Sequence, residues 1–448
     1  MMVLKIVLGL IGLSLVVVIH EAGHFIAAKL CGIHVEAFSI GWGKIIYARK
    51  WKETEFRVSL FPLGGYCKMQ GEQALIQAWE NHSREVECEE GDMYAASFWK
   101  RIIVSLSGPL VNLIFASLIF FVIGMFGYNI SYYPSRIVLA SDYTDRTDYP
   151  ANFSGLQTGD SITAVNGRDI ERFDQLQQEI ALHPEEVLKL RVQRDGKSIS
   201  LNLTPELNLQ SGSGYVGIYP WIEPIVRDFT ESSFFNDKEI EKGDRISKIN
   251  GIPIDHAVQL SSLLEKVVLQ SLSVVRNGSS HEISFKEEQI VSDPGIQYDF
   301  LQTRTPQWDI LYAIKEGYRE SSRILLSSLK GLSLLFKGID LQSAVSGPLR
   351  ISYITGDLAF SGFSNGIAEG LVTFFRFIAL INIALFVMNL LPIPVLDGGQ
   401  ILLFLVEGIL RRKPNPQIIY KYQLLGTIIV FGLIIFATMN DILFFSRN

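Results

Sequence analysis

Four stretches of this chain are apolar for long enough to cross a bilayer, and they limit its fold more than any other feature. A helix needs about 20 apolar residues to span the hydrocarbon core. The runs cover residues 3–30, 102–126, 371–391 and 424–445, the last with Asp441 near its end. Lipid offers no hydrogen bonds, so each run must satisfy its own backbone as a helix. Charged residues are only 19% of the 448, against about 25% in ordinary globular chains, and the deficit falls in these runs. The first run continues past His20 to Leu30 without a strong basic stretch before it. It reads as a retained helix, since the apolar core of a signal sequence spans only ~7–15 residues.

A fifth apolar stretch, residues 324–339, is shorter and carries Lys330 in its middle. Upstream, Ile310, Leu311, Ile314 and Tyr318 recur at helical spacing, which predicts an amphipathic helix in the membrane interface. Lys and Arg near span ends mark the cytoplasmic side. Lys44, Arg49, Lys50, Lys52, Lys100 and Arg101 lie between the first two spans, and Arg411, Arg412 and Lys413 follow the third. Both termini and the long central region are then outside. The net charge of −6, with no basic tract, excludes nucleic acid as a partner. Cys31, Cys67 and Cys88 are an odd set without paired spacing and predict no disulfide framework.

The central polar region repeats itself. Gly159-Asp160-Ser-Ile-Thr-Ala-Val-Asn166-Gly167 and Gly243-Asp244-Arg-Ile-Ser-Lys-Ile-Asn250-Gly251 share one pattern, about 84 residues apart. Each is a strand-like alternation ending in an Asn-Gly turn, followed by a predicted helix over 175–182 or 258–267. An internal repeat of a small domain follows. The pattern resembles PDZ domains, more closely in the first copy than in the second, where Lys238-Glu239-Ile240 replaces the usual lead-in.

His20-Glu21-Ala22-Gly23-His24 lies inside the first span. Residues i and i+4 share a helix face, so two imidazoles can bind one Zn2+ with Glu21 placed as general base. Ionisable groups within a span are costly and are functional by default. A catalytic zinc has three protein ligands and one open position. The candidate third ligand is Asp397, in Asn389-Leu-Leu-Pro392-Ile-Pro394-Val-Leu-Asp397-Gly398-Gly399. The prolines break the helix there, and broken helices at membrane depth line cavities. Alternatively, Asp397 caps a helix starting near Gly399. Two crossings separate the motif from Asp397, so both reach the cytoplasmic side, which favours the ligand role. His34, ten residues past His24, is a weaker candidate. His82, His183, His256 and His281 are scattered in polar segments.

His20-Glu21-x-x-His24 with Asn389-x-x-Pro392-x-Pro394-x-Leu396-Asp397-Gly398 resembles the site-2 protease family. Four spans with an inserted PDZ-like pair resemble its bacterial regulator-of-sigma-E protease type, and the likeness covers nearly the whole chain. Gly108-Pro109-x-x-Asn112 matches a further family element. By the resemblance Asn112 lies near the active site; it also reads as an interhelical packing residue. Gly41-Trp-Gly43-Lys44 and Phe61-Pro-Leu-Gly64-Gly65-Tyr66 resemble the family's membrane-associated β-hairpin, and Phe56 to Leu60 alternates as a strand does. The resemblance gives Asn389, Asn112, Gly64, Gly65 and Tyr66 substrate-binding roles, although Asn389 also reads as a plain helix-end residue. Residues 72–93 are longer and more acidic than this pattern, with Glu85, Glu87, Glu89, Glu90 and Asp92 close together. They read as a solvated loop without assigned function.

The expected fold is a polytopic α-helical membrane protein with four transmembrane helices, a membrane-associated β-hairpin and two inserted α+β PDZ-like domains. Its expected parts are spans one and two with the hairpin (1–127), PDZ-like domains at 128–215 and 216–300, the interfacial helix and linker (301–366), and spans three and four (367–448). The resemblance implies a monomeric zinc endopeptidase in a bacterial cytoplasmic membrane. Its substrates would be single-span proteins of the anti-sigma factor kind or remnant signal peptides, with the PDZ pair filtering them by size. The competing readings are a non-catalytic PDZ scaffold and a metal transporter. A positioned Glu21 argues against transit, which needs ligands rather than a base.

Overall fold

The computed structural model describes residues 2–208, 212–230, 233–235, 239–289, 294–334, 347–364 and 366–447. The chain divides into two compact units. One comprises Met1–Tyr128 with Thr305–Asn448, the other Asn129–Arg304.

In the first unit, helix α1 (Met2–Leu30) leads into an antiparallel hairpin of β1 (Val35–Trp51) and β2 (Thr54–Met69). Helix α2 (Glu72–Glu80) and helix α3 (Phe98–Phe126) follow. After the second unit come α4 (Ile310–Leu334), α5 (Pro348–Ser364), α6 (Ile367–Asn389), α7 (Asp397–Leu410) and α8 (Pro416–Arg447). Among the described residues four helical segments are long and apolar enough to cross a membrane: Gly9–Leu30, Phe98–Phe126, Ile367–Asn389 and Pro416–Leu443. Val16, Ala116, Phe120, Ile378 and Ile383 form a buried core between α1, α3 and α6.

Small residues set how closely these helices approach. A methyl group on Gly23 would stand 2.5 Å from the Ser107 carbonyl oxygen, and one on Gly108 would collide with His24 Nε2. Bulkier residues at either place would push α1 and α3 apart where the motif sits. Pro109 follows inside α3. It lacks the N–H that would bond four residues back, which loosens the helix at this point.

Helix α4 runs antiparallel along α3. Its Ala313 lies beside Gly124, its Gly317 beside Ser117 and Phe121, and Ser117 Oγ donates to Ser321 Oγ at 3.0 Å. Tyr128 Oη donates to the buried Glu316 at 2.9 Å. The end of the expected amphipathic stretch at Ile339, and Ser346, lie outside the described residues. Asp441 of α8 is fully buried. Its carboxylate accepts from the N–H groups of Gly347, Leu349 and Arg350 at 2.8–3.1 Å, satisfying the start of α5.

The second unit contains two four-stranded sheets of identical strand order. In chain sequence the strands are Ser161–Val165, Arg168–Asp169, Leu188–Arg194 and Lys197–Leu203 in one, and Arg245–Ile249, Ile252–Pro253, Leu269–Arg276 and Ser279–Gln289 in the other. Each sheet is ordered second, first, third, fourth. Helices Phe173–Ala181 and Ala257–Lys266 sit at the predicted places. The repeated Asp does more than turn the chain. Asp160 takes Arg194 Nε and Nη2 at 2.7 Å, and Asp244 takes Arg276 in the same way. Both carboxylates are 1% or less exposed. Asn166 and Asn250 hold left-handed backbone with φ of 49°, and their side-chain oxygens accept from the N–H groups of Lys189 and Gln270.

Candidate active site

One helical turn on α1 puts His20 and His24 on the same face, and that face turns inward toward α3. The rings meet edge to face, with centroids 4.7 Å apart and Nε2 atoms 3.1 Å apart. Both side chains are buried. His24 Nδ1–H donates to the Val104 carbonyl of α3 at 2.8 Å. That bond puts the proton on Nδ1 and leaves the Nε2 lone pair facing the cluster.

Asp397 arrives from the far end of the chain. The link after α6 folds back tightly, because side chains on Gly398 or Gly399 would collide with the Leu390 or Ile393 carbonyl oxygens. Helix α7 therefore begins at Asp397, with Leu396 at its N-cap and no side-chain cap bond. The Asp397 carboxylate turns to the histidines instead, with Oδ2 3.2 Å from His20 Nε2 and Oδ1 3.4 Å from His24 Nε2. One ligand atom from each of the three residues lies within 4.8 Å of the others.

Two asparagines flank His20. Asn112 Nδ2 is 3.3 Å from His20 Nδ1, and its buried Oδ1 has no hydrogen-bond partner among the described residues. Asn389 Nδ2 is 3.4 Å from His20 Nε2. Glu21 lies against the Cys67 backbone of the hairpin. A methyl on Gly65 would be 3.8 Å from Glu21 Cγ, and one on Gly64 would be 3.7 Å from Val17 Cγ1. Tyr66 pairs with Ser39 in the hairpin, and its hydroxyl accepts from Arg57 Nη1 at 3.0 Å. His34 is held elsewhere, with Nδ1 3.0 Å from Gln70 Oε1. Cys31, Cys67 and Cys88 form no disulfide.

A cavity of about 580 Å3 opens beside the cluster. His20, Glu21, His24, Asn389 and Asp397 line it, and so do Cys67 and Met69 of β2. Gly64, Gly65, Tyr66 and Asn112 are not among its lining residues. Tyr94 also lines it, and so do Leu75, Ile76 and Met93, although these three come from the segment expected to be a solvated loop. Residues 72–80 form α2, with Leu75 and Ala78 buried. The apolar spacing of Leu75, Ile76 and Trp79 is the signal for this helix in the sequence, and the acidic run beyond it masks that signal.

Comparison with known proteins places this geometry. The model of peptidase family M50 matches residues 8–433. The chain belongs to peptidase family M50, the site-2 protease family. Proteases of the M50 family use zinc, and the chain is a metalloendopeptidase on that ground. A Treponema pallidum protein named "Putative zinc metalloprotease" is 34% identical over 446 residues, covering 98% of this chain and 99% of the relative. A Campylobacter jejuni relative of the same description is 31% identical, covering 96% of this chain and 91% of its own. The Haemophilus influenzae "Regulator of sigma E protease" is 29% identical, with 97% of both chains covered. The M50 match and the four apolar helices together make this a membrane-embedded peptidase.

Proposed function

We propose that this chain is a zinc-dependent intramembrane endopeptidase that cuts single-span membrane proteins, with His20, His24 and Asp397 as zinc ligands. The observation that carries the reading is the convergence of Asp397 on two histidines from the opposite end of the chain. Two imidazole nitrogens and one carboxylate oxygen suit a catalytic zinc with an open position, and the His24 bond to Val104 is the outer partner such a ligand needs. Exchange of the Asn112 amide oxygen and nitrogen lets the partnerless Oδ1 accept from His20 Nδ1–H, which frees Nε2 in the same way.

Zinc bound there supplies a Lewis acid that brings the pKa of a water toward ~7. Glu21 takes the proton of the attacking water and returns one to the leaving amine. Asn389 donates toward the oxygen on which charge develops. The substrate helix must unwind first, and the hairpin segment containing Gly64, Gly65 and Tyr66 offers an edge to its freed backbone. Gly65 beside Glu21 supports this placement.

The name of the Haemophilus influenzae relative and the site's place among apolar helices support a membrane-protein substrate. An anti-sigma factor or a remnant signal peptide fits that class. The repeated sheets of the second unit, read as two PDZ-like domains outside a bacterial inner membrane, would exclude substrates with bulky outer domains. The site then faces the cytoplasm, an orientation supported by the Lys and Arg pattern.

The test is a Glu21→Gln variant with a co-expressed single-span substrate. Zinc should remain bound while cleavage falls by about 100-fold or more; retained cleavage would remove Glu21 as the base. Asp397→Ala should lower the zinc content of the purified protein, and an unchanged stoichiometry would take Asp397 out of the ligand set.

A further inference from the structure

Helix α2 joins two walls of the cavity. Trp79 stacks on Tyr420 of α8 with centroids 3.8 Å apart and planes 16° apart, and Gln417 Nε2 donates to the Trp79 carbonyl at 2.7 Å. At the other end of the segment, Met93 N–H donates to the Gln70 carbonyl at 2.9 Å, tying it to the end of β2. The segment is thus anchored to both the hairpin and the last span. Leu75 and Met93 are buried behind the cavity surface, while Ile76 remains 47% exposed and lines the same cavity as the catalytic cluster.

We infer that α2 supplies a subsite for a large apolar substrate side chain next to the scissile bond, with Ile76 and Leu424 as its adjustable surface. The inference rests on the endopeptidase reading above. Leu, Met or Phe suits walls made of Leu75, Ile76, Met93 and Leu424. Gln423 and Thr427 of α8, which share the cavity, suit the backbone groups that an unwound helix leaves unpaired. Trp79 acts through α2 as a positioning residue, holding Ile76 against the site.

The experiment uses the full-length protein in lipid vesicles with two single-span substrates. They differ only in carrying Phe or Ala beside the cleaved bond, which mass spectrometry maps. Wild type should prefer Phe in kcat/KM. Ile76→Trp, which fills the pocket, should lower the Phe-to-Ala ratio about tenfold with zinc content unchanged. Trp79→Ala should lower the same ratio, and Trp79→Phe should restore it. An unchanged ratio in zinc-loaded Ile76→Trp, on substrates that wild type cleaves, overturns the subsite and leaves the endopeptidase standing. No cleavage by zinc-loaded wild type of any single-span substrate overturns both.

Discussion

The Val104 carbonyl accepts the hydrogen bond of His24 Nδ1–H, and this one bond decides which ring nitrogen faces Asp397. For His20 the nearer partner at Nδ1 is the Asn112 amide, 3.3 Å away, with the Asn389 amide at 3.5 Å. Asn112→Ala should therefore weaken zinc binding about 10–100-fold, the usual effect of losing such a partner. Competition with a chelator measures it; unchanged affinity would return Asn112 to a packing role. In the second unit, His256 Nδ1 accepts the Gln259 N–H at the start of helix Ala257–Lys266, and its Nε2 lies 3.1 Å from Tyr143 Oη. Burial lowers its pKa below the ordinary ~6.5, against the pull of Asp255. A depressed histidine pKa means that the unfolded chain binds more protons in this window. The stability His256 contributes is full above ~6.5 and falls away as pH drops through the folded value. Hydrogen-exchange protection over 257–266, taken relative to the intrinsic exchange rate, should fall below pH ~6.5, and His256→Asn, which keeps a capping oxygen, should flatten that dependence. His20, Glu21 and His24 were legible because their relation is one helical turn. The Val104 carbonyl was not, because every residue has one.

At the scale of elements, the partners of the repeated aspartates matter most for stability. Arg194 and Arg276 lie on the third strands of their sheets, far from Asp160 and Asp244 in sequence. The carboxylates are buried while the guanidinium groups stay about a quarter exposed, so removing the arginine strands a buried carboxylate without its charge partner. Arg194→Ala should thus speed exchange in the first sheet by roughly tenfold while the second sheet keeps its protection. Equal loss in both sheets would mean that the repeats unfold together. Asp441 caps α5 from another helix, so Asp441→Ala should destabilise α5 by about 1 kcal/mol, seen as faster proteolysis at residues 347–364. The spans and the repeat could be read from the chain because their patterns are periodic, whereas the hairpin rested on the family resemblance, with only Phe56 to Leu60 alternating as a strand does. Helix α2 was obscured because its apolar residues occupy barely two turns beside a run of acids. The start of α7 at Asp397 could not be fixed because the Gly398-Gly399 turn depends on carbonyls eight and six residues earlier.

At the scale of the molecule, the second unit is inserted through neighbouring strands. Asn129–Tyr132 pairs with Leu301–Arg304 inside that unit. Just beyond, in the first unit, Thr305 N–H donates to the Tyr128 carbonyl at 3.0 Å and Tyr128 N–H to Thr305 Oγ1 at 2.8 Å. A short linker from 128 to 305 should then leave the first unit folded with zinc bound, and cleavage should no longer discriminate against bulky outer domains. Loss of zinc on this deletion would show that the units depend on each other. Asp397 could be proposed as a third ligand because an even number of crossings returns the chain to the same side; the contact itself needed three dimensions. Its distance along the chain also bears on timing. About 370 residues separate His24 from Asp397, so at ~5–20 residues per second the ribosome needs roughly 20–70 s to add the third ligand. Until then the emerging chain carries the histidines and the base of the proposed site without its third ligand. On that proposal, a protease born among its potential substrates stays harmless until Asp397 has been made.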